Sequence, residues 1–431
     1  MFCKTLFNKK ILIYGIGLSG SSCLNFLSKN NTVKLFDDNF SVIKQSNKKY
    51  FIQKKKIFKS EFDFIVLSPG ININNCKLKM YLLENQKKII TELDIFYKSY
   101  PENLKITITG TNGKSSVCLM LYNIFKSKKF DVRLVGNIGK SPLEEKKINN
   151  KTIFIIEASS YQISYNKYFK TDYAAILNLN IDHLERHGTI NKYAQAKIKL
   201  ICDQKKNQIC IIEKNNHIIN KNIINKKIKS KIIRINFNKT SFFKKKIKNY
   251  YLLDKNNLNN IHFVYRISKI FKISDHAIFK TLNVFKGLKF RKQIVLSKKN
   301  LKIINDSKST SFSSSNGLLS TYKNIYWIVG GMYKKGDKFI LEKKYHKNIN
   351  AYIIGVNKDY FINQFKSKIK SKYLKNLKNA ILAIKKDIKK DMNEKIILFS
   401  PAAASFDQFK NFEDRGKHFN CLIKKFNFYG K

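Results

Sequence analysis

Thr109-Gly110-Thr111-Asn112-Gly113-Lys114-Ser115 brings glycines, hydroxyls and a lysine together in one short stretch. Glycines there let backbone N–H groups turn inward to meet phosphate oxygens, and a following helix N-terminus adds positive potential. Lys114 can reach terminal phosphates, and the Ser115 and Ser116 hydroxyls can approach Mg²⁺. The spacing departs from the strict G-x-x-x-x-G-K-[ST] pattern, because Ile108 stands where the first glycine would be. A glycine turn without a ligand is the plain alternative; the position between an apolar strand and a helical pattern favours a nucleotide. Two more places carry matching chemistry. Glu157-Ala158-Ser159-Ser160 follows one apolar run, and Asn178-x-x-x-Asp182-His183 follows another. In an open α/β sheet both would lie at carboxyl strand ends, where ligands bind. A carboxylate and an imidazole there can serve Mg²⁺ beside phosphates. A lone histidine is more often structural, and it is the neighbouring loop and glutamate that favour function.

Gly15-x-Gly17-x-x-Gly20 is a weaker signal. With Asp37 about twenty residues on, it resembles a dinucleotide fingerprint, although glycines there also serve simple helix–strand packing. It suggests a nucleotide or nucleotide-sugar without saying which.

The elements that must hold these groups read as strand–helix alternation, hence parallel α/β sheets. In the first stretch the strands are Ile11–Tyr14, Thr32–Phe36 and Phe64–Leu67. Tyr100-Pro101-Glu102-Asn103 reads as a linker. The second stretch has strand Lys105–Thr109, the phosphate loop, and a helix with Val117, Leu121, Ile124 and Phe125 on its apolar side. Strands Thr152–Ile156 and Tyr173–Leu177 follow. Residues 204–260 give few signals and are assigned to the same domain because isoleucine stays frequent there. The third stretch has strands Ile325–Val329, Ala351–Ile354 and Lys395–Phe399, with Leu374, Leu377, Ile381 and Ile384 on one helix face.

Length and composition bound the answer. A chain of 431 residues suggests two or three domains. There is no run of about 18 apolar residues, so a spanning helix is not expected, and no secretory leader is expected at Met1-Phe2-Cys3-Lys4. Seven cysteines without a Cys-x-x-Cys pair fit reduced thiols in a cytoplasm. The net charge of +56 invites a nucleic-acid reading. The excess is nearly all lysine and is spread along the chain. Lysine, asparagine and isoleucine are abundant while Gly (17), Pro (4) and Trp (1) are scarce, as an AT-rich genome would produce. Attraction of anionic substrates, or of a polynucleotide, stays open on composition alone.

Taken in order, Thr109–Ser116, Glu157–Ser160, Asn178–His183 and Tyr193-Ala194-Gln195-Ala196-Lys197 resemble the ATPase domain of the Mur ligases, which build the peptidoglycan peptide. The resemblance continues through Gly287-Leu288-Lys289-Phe290-Arg291, Asn305–Thr310 and Gly330-Gly331-Met332-Tyr333-Lys334. Ser400–Phe409 and Phe412-Glu413-Asp414-Arg415-Gly416 resemble the branch of the family that adds D-glutamate. The resemblance runs from about residue 11 to 416.

It implies an α/β protein of three domains: a Rossmann-like UDP-sugar domain over 1–99, a central P-loop-type ATPase domain over 100–287 and a Rossmann-like amino-acid domain over 288–431. It implies ATP-dependent phosphorylation of a carboxylate, attack by an amine on the acyl phosphate, and release of phosphate. The implied partners are UDP-N-acetylmuramoyl-L-alanine, D-glutamate and ATP with Mg²⁺, in a cytoplasmic monomer that neither inserts in membranes nor binds nucleic acid. Another amide ligase of the family with a different amino acid is the nearest alternative. A basic nucleic-acid-binding module retaining the fold is the alternative from a different class.

Residue by residue, Lys114, Glu157, His183 and Lys197 match catalytic positions. Ser115, Glu157, His183 and a carbamylated Lys197 match the metal site. Gly110, Thr111, Asn112, Gly113, Lys114, Ser115, Ser116, Asn257, Asn260, Arg291 and Asp306 match ATP positions. Leu18, Ser19, Asp37, Asp38, Ser68, Pro69, Gly70, Asn137, Ser159, Gln162 and His183 match the UDP-sugar substrate. Lys308, Thr310, Lys334, Ser405, Phe406 and Phe412 match the D-glutamate end; the last two equally suit simple packing. Three positions depart from the family pattern: Phe290 replaces a usual His, Gln293 a usual Glu, and Asn256 the His of Gly-x-His-Asn. All three fall on the adenine side.

Overall fold

The computed structural model describes residues 6–298, 300–334, 336–388 and 393–428; the segment Met1-Phe2-Cys3-Lys4 lies outside them. Three mainly parallel sheets carry the chain. The first holds β1 (Lys10–Tyr14), β2 (Thr32–Phe36), β3 (Phe64–Leu67) and β4 (Ile89–Ile90) in the order β2-β1-β3-β4. The second holds β5 (Lys105–Thr109), β6 (Val132–Gly136), β7 (Ile153–Glu157), β8 (Tyr173–Ile176), β9 (Ile209–Glu213) and β10 (Lys231–Ile235), ordered β10-β9-β8-β5-β7-β6. The third holds β11 (Gln293–Lys298), β12 (Leu301–Asn305), β13 (Ile325–Gly330), β14 (Ile349–Ile354), β15 (Lys370–Tyr373) and β16 (Lys395–Phe399), ordered β11-β12-β16-β13-β14-β15. Among the described strands only β11 runs antiparallel to its neighbour.

Burial explains why the central strands read as unbroken apolar runs rather than alternating ones. Residues Ile153–Glu157 are all buried, as they must be in a parallel sheet covered on both faces. The helix Lys114–Ser127 covers β5 and β7 with Val117, Met120, Leu121 and Ile124. Residues 204–260, which gave few signals, form β9, β10 and the helices His217–Ile223, Thr240–Lys246 and Lys255–Ile270. Their lysines and asparagines sit largely on exposed positions and mask the short buried runs of Cys210–Ile212 and Ile261–Val264. Leu374 precedes the helix Leu377–Ile388, yet packs on the same core as Leu377, Ile381 and Ile384.

The chain forms two compact units, divided between Phe285 and Lys286. Within the first unit one continuous core joins the first sheet to one face of the second, with Phe96 edge-on to Phe154 at 4.7 Å. The helix Glu92–Ser99 is fixed at its start by a Thr91–Asp94 capping box. The second oxygen of Asp94 accepts the backbone N–H groups of Lys167, Tyr168 and Phe169 at 2.6–2.9 Å. The linker at 100–103 is held as well. Buried Lys105 donates to the carbonyls of Tyr100 and Asn103 at 2.5 Å, and burial lowers its pKa to about 8.

Candidate functional site

The loop after β5 is shaped by two glycines with positive φ, Gly110 at 148° and Gly113 at 85°. Gly113 starts the helix Lys114–Ser127. A Cβ at Gly113 would lie 2.2 Å from Oδ1 of Asn260, so the helix Lys255–Ile270 approaches the loop as closely as a bare Cα allows. Asn178, at the end of β8, holds the loop from the other side. Its Oδ1 accepts the N–H of Asn112 at 2.9 Å, its Nδ2 donates to the Asn112 carbonyl at 3.1 Å, and its own carbonyl accepts the N–H of Thr111 at 2.9 Å. Lys114 Nζ donates to the carbonyls of Gly110 and Thr111 at 2.8 and 2.9 Å.

Lys197 lies beneath this loop with 1% of its surface exposed. Its Nζ donates to Gly110 O at 3.0 Å and Thr109 Oγ1 at 3.2 Å, and stands 4.9 Å from the centre of the Tyr193 ring. Burial, reinforced by the charge of Lys114, pushes its pKa well below the ordinary lysine value, while Asp182 and Glu157 act in the opposite direction. Glu157 ends β7 fully buried. One carboxylate oxygen accepts from Asn137 Nδ2 at 3.0 Å; the other, Oε2, is buried without a hydrogen-bond partner. Such an oxygen is costly to leave bare. His183 sits in the left-handed region at φ 52°, where Nδ1 lies 3.0 Å from Tyr161 Oη and Nε2 3.4 Å from Asp182. Tyr193 bonds Thr111 at 3.0 Å, and its ring lies tilted beside those of His183 and His187 with centres 6.0 and 5.5 Å away. Among the described residues no three His, Cys, Asp or Glu side chains form a ready-made metal cage. A Mg²⁺ site needs none, since that ion is commonly held by one or two carboxylates with substrate phosphates. The bare Glu157 oxygen beside Lys197 and Lys114 fits this pattern.

Of the residues expected on the sugar side, Leu18, Ser19, Asp37, Asp38 and Ser68–Gly70 gather at the carboxyl end of the first sheet, whereas Asn137, Ser159, Gln162 and His183 follow strands of the second. Asp37 accepts the N–H of Ile16 at 2.8 Å, Asp38 accepts from Tyr14 Oη at 2.5 Å, and Ser68 Oγ donates to Gly15 O at 2.6 Å. A Cβ on Gly20 would meet the Gly15 carbonyl oxygen at 1.9 Å, and one on Gly15 would meet the side chains of Ser68 and Ile71 at 2.8 and 3.0 Å, so both glycines permit close packing here whatever they bind. Ser19 Oγ donates to buried Glu92 at 2.7 Å, whereas Leu18 is 92% exposed. Ser159 and Gln162 form a capping box on the helix Ser160–Ser164, so they have a structural task whatever they bind. Arg186, which was not foreseen, donates to the carbonyls of Pro69, Gly70 and Ile71 and lies over the rings of Tyr161 and Tyr165. It ties the Ser68–Gly70 loop to the turn that carries His183.

A cavity of about 190 Å³ adjoins the phosphate loop, lined by Asn112, Asn178, Asn180, Glu213, Phe237 and Asn256, with Asn260 among its walls. Asn257 points elsewhere and bonds Tyr251 O and Asp254 at 2.7 Å. Glu213 and Phe237 were illegible because the strands before them were.

In the second unit, Asp306 is buried. It accepts from Lys292 N at 3.0 Å and Ser400 Oγ at 2.9 Å, and burial raises its pKa to about 6. Two of the departures from the family pattern meet here. Phe290 N–H donates to Gln293 Oε1 at 3.1 Å, and the Phe290 ring covers the bare Cα of Gly416. Phe290 O in turn accepts the Lys308 N–H at 3.0 Å. Lys308 Nζ stands 3.8 Å over the Phe412 ring. Ser405 is buried, whereas Thr310 and Lys334 are exposed and Phe406 is 70% exposed.

Residues 108–278 match the family model described as the Mur ligase middle domain. The chain is 32% identical, over 97% of its length and 98% of the relative's, to the UDP-N-acetylmuramoylalanine–D-glutamate ligase of Rickettsia prowazekii. It is 34% identical, over 98% and 99%, to the enzyme of that name from Buchnera aphidicola of Schizaphis graminum. Among solved structures, UDP-N-acetylmuramate–alanine ligase from Thermotoga maritima is similar over 97% of this chain and 100% of its own, with TM-score 0.57 and 14% identity. A MurF ligase from the same organism in complex with ADP gives TM-score 0.53 and 14% identity over 98% and 99%. These two likenesses speak to the fold alone.

Proposed function

Since the chain belongs to the Mur ligase family, we propose that its sites divide the work of one ligation. The protein is an ATP-dependent ligase that adds D-glutamate to UDP-N-acetylmuramoyl-L-alanine in peptidoglycan precursor synthesis. The observation that carries the residue-level reading is that Lys114 and buried Lys197 both donate to the Gly110 carbonyl, while Glu157, with one bare oxygen, ends the strand paired with the one that leads into this loop.

The chemical problem is that a γ-phosphate and a carboxylate, both anionic, must meet. Positioning and charge neutralisation supply most of the acceleration for such a transfer. In our reading Gly110–Ser116 cradle the phosphates, Lys114 swings from its loop carbonyls to the terminal ones, and Asn260 supports the loop. Base and ribose would occupy the asparagine-lined cavity and its rim, while Asn257, Arg291 and Asp306 are assigned to ATP by the family resemblance alone. Glu157, His183 and Ser115 would hold Mg²⁺, which when bound supplies charge neutralisation between the two anions. Lys197, which forms no salt bridge among the described residues, would add CO₂ at Nζ with loss of a proton, and the resulting carbamate would serve the same ion. The UDP-sugar would lie along Leu18, Ser19, Asp37, Asp38 and Ser68–Gly70, with Asn137, Ser159 and Gln162 toward its peptide end. Phosphoryl transfer to the L-alanine carboxylate would give an acyl phosphate. The D-glutamate amine, oriented by Lys308, Thr310, Lys334, Ser405, Phe406 and Phe412, would then attack the acyl carbon and release phosphate. A cation and hydroxyls suit a dicarboxylate. The domain division at 99/100 and 287/288 belongs to this proposal, as do a monomeric state and a cytoplasmic site of action. No helix among the described residues is long and apolar enough to cross a membrane.

The test is ATP-dependent phosphate release with UDP-N-acetylmuramoyl-L-alanine and a panel of amino acids. D-Glutamate should be used. Its failure beside turnover with L-lysine, diaminopimelate or L-alanine would overturn the assignment. Tight, salt-sensitive polynucleotide binding without turnover would support the nucleic-acid alternative instead.

A further inference from the structure

The candidate amino-acid residues of the second unit stand on separate strand-end loops, and one buried guanidinium joins those loops. Arg415, in the helix Phe412–Lys425, is 1% exposed. Its Nε donates to Ser307 Oγ at 3.1 Å, and its Nη2 donates to Ser307 O at 2.8 Å and to Ala403 O at 3.0 Å. Ser307 immediately precedes Lys308 in the loop after β12, and its hydroxyl donates to Phe412 O at 2.9 Å. Ala403 lies two residues before Ser405 in the loop after β16. Its neighbour Ala404 exchanges both backbone hydrogen bonds with Met332, at 3.0 and 2.8 Å, so the loop after β13 that carries Lys334 is held in the same network. The remaining donor, Nη1, is buried without a partner, and a Cβ placed on Gly331 would stand 3.4 Å from it.

Burying a guanidinium is expensive, and a packed apolar side chain would fasten a helix to a sheet at less cost. What the guanidinium adds is direction, because its planar fork fixes several acceptors in one plane. We propose that Arg415 is a positioning residue for the amino-acid end of the site, setting the placement of the loops that carry Lys308, Thr310, Lys334 and Ser405 relative to the start of its own helix at Phe412. This rests on the reading of those residues as the D-glutamate end. It extends that reading to a residue that touches no substrate.

The test is steady-state kinetics of the full chain for each substrate in turn, with thermal melting alongside. Arg415→Lys keeps a cation but loses the fork. It should raise KM for D-glutamate by about 10- to 100-fold, the scale expected of a displacement near 1 Å. The KM values for ATP and the UDP-sugar should stay within about twofold, and kcat at saturating D-glutamate should be largely kept. Ser307→Ala removes the hydroxyl that accepts from Arg415 Nε and donates to Phe412 O but leaves both Nη2 bonds, and it should shift the same KM in the same direction by less, with a smaller fall in melting temperature than Arg415→Lys. A fall in melting temperature with D-glutamate KM unchanged in both variants would overturn the proposal, as would equal loss against all three substrates. If the wild type uses a different amino acid, the substrate reading fails, while a selective rise in that amino acid's KM would still uphold the role of Arg415.

Discussion

The proposed phosphate site and the proposed amino-acid site of this molecule are built in opposite ways. Lys197 and Glu157 are fully buried beside a loop whose Gly113 has no room for a methyl, and one carboxylate oxygen is left bare. At the amino-acid end Thr310, Lys334 and Phe406 face solvent on loops, and the burial is one layer back, at Arg415, Ser307 and Asp306. A site that must bring two anions together benefits from fixed, water-excluded groups. A site that must admit a small polar amino acid can keep its contacts open, provided that something rigid stands behind them.

The largest test of that contrast is Lys197→Ala. Phosphate release should fall by more than about 10²-fold, as for loss of one preorganised charge-stabilising group, with partial rescue by a short carboxylate such as formate. Wild-type-like turnover would remove both the carbamate and the distinction drawn here. Asp306 offers a second test, through pH. Folded Asp306 keeps its proton up to about pH 6, against an ordinary value of 3.8. Between those values the folded state binds more protons than the unfolded one, so this group's contribution to stability falls as pH rises from about 4 to about 6. The total is on the order of 3 kcal/mol. Asp306→Asn should flatten that slope in denaturant melts, and an unchanged slope would count against a buried, protonated carboxyl.

A third comparison sets two glycines against each other. Gly113 and Gly336 have φ of 85° and 81°, but an added Cβ meets Asn260 at the first and nothing within 4 Å at the second. Gly113→Ala should cost about 1–3 kcal/mol and raise KM for ATP, whereas Gly336→Ala should carry only the backbone penalty, roughly 1 kcal/mol. Equal losses in thermal melts would show that crowding does not distinguish the two ends. The smallest effect is expected at Phe406→Ala, where removal of an exposed ring should change stability by less than about 0.5 kcal/mol. A several-fold change in KM for D-glutamate would then report contact with that substrate.

Much of the frame was legible because buried parallel strands write themselves as short apolar runs. Thr32–Phe36, Phe64–Leu67, Lys105–Thr109 and Lys395–Phe399 are strands at the residues expected. Val132–Gly136 was missed because Arg133 and a closing glycine break its run, and Lys370–Tyr373 because an exposed edge strand of lysines, serine and tyrosine carries no apolar signal. The phosphate loop and the strand-end Glu157 announced themselves by type and spacing. Arg186 and Arg415 did not, since their meaning lies in carbonyls up to 117 residues away. The Phe290 and Gln293 departures, separate in sequence, turn out to be partners in one hydrogen bond.

The three carbonyls held by Arg186 have a consequence for the order of events. A ligand that displaces residues 69–71 must either break those bonds or drag the turn at His183–His187 with it. If it drags the turn, occupancy of one place alters affinity at the other, and thermodynamic reciprocity makes the favour mutual and equal in free energy. The sequence in which ligands arrive would then govern rates alone, because the closed cycle performs the same work in either direction.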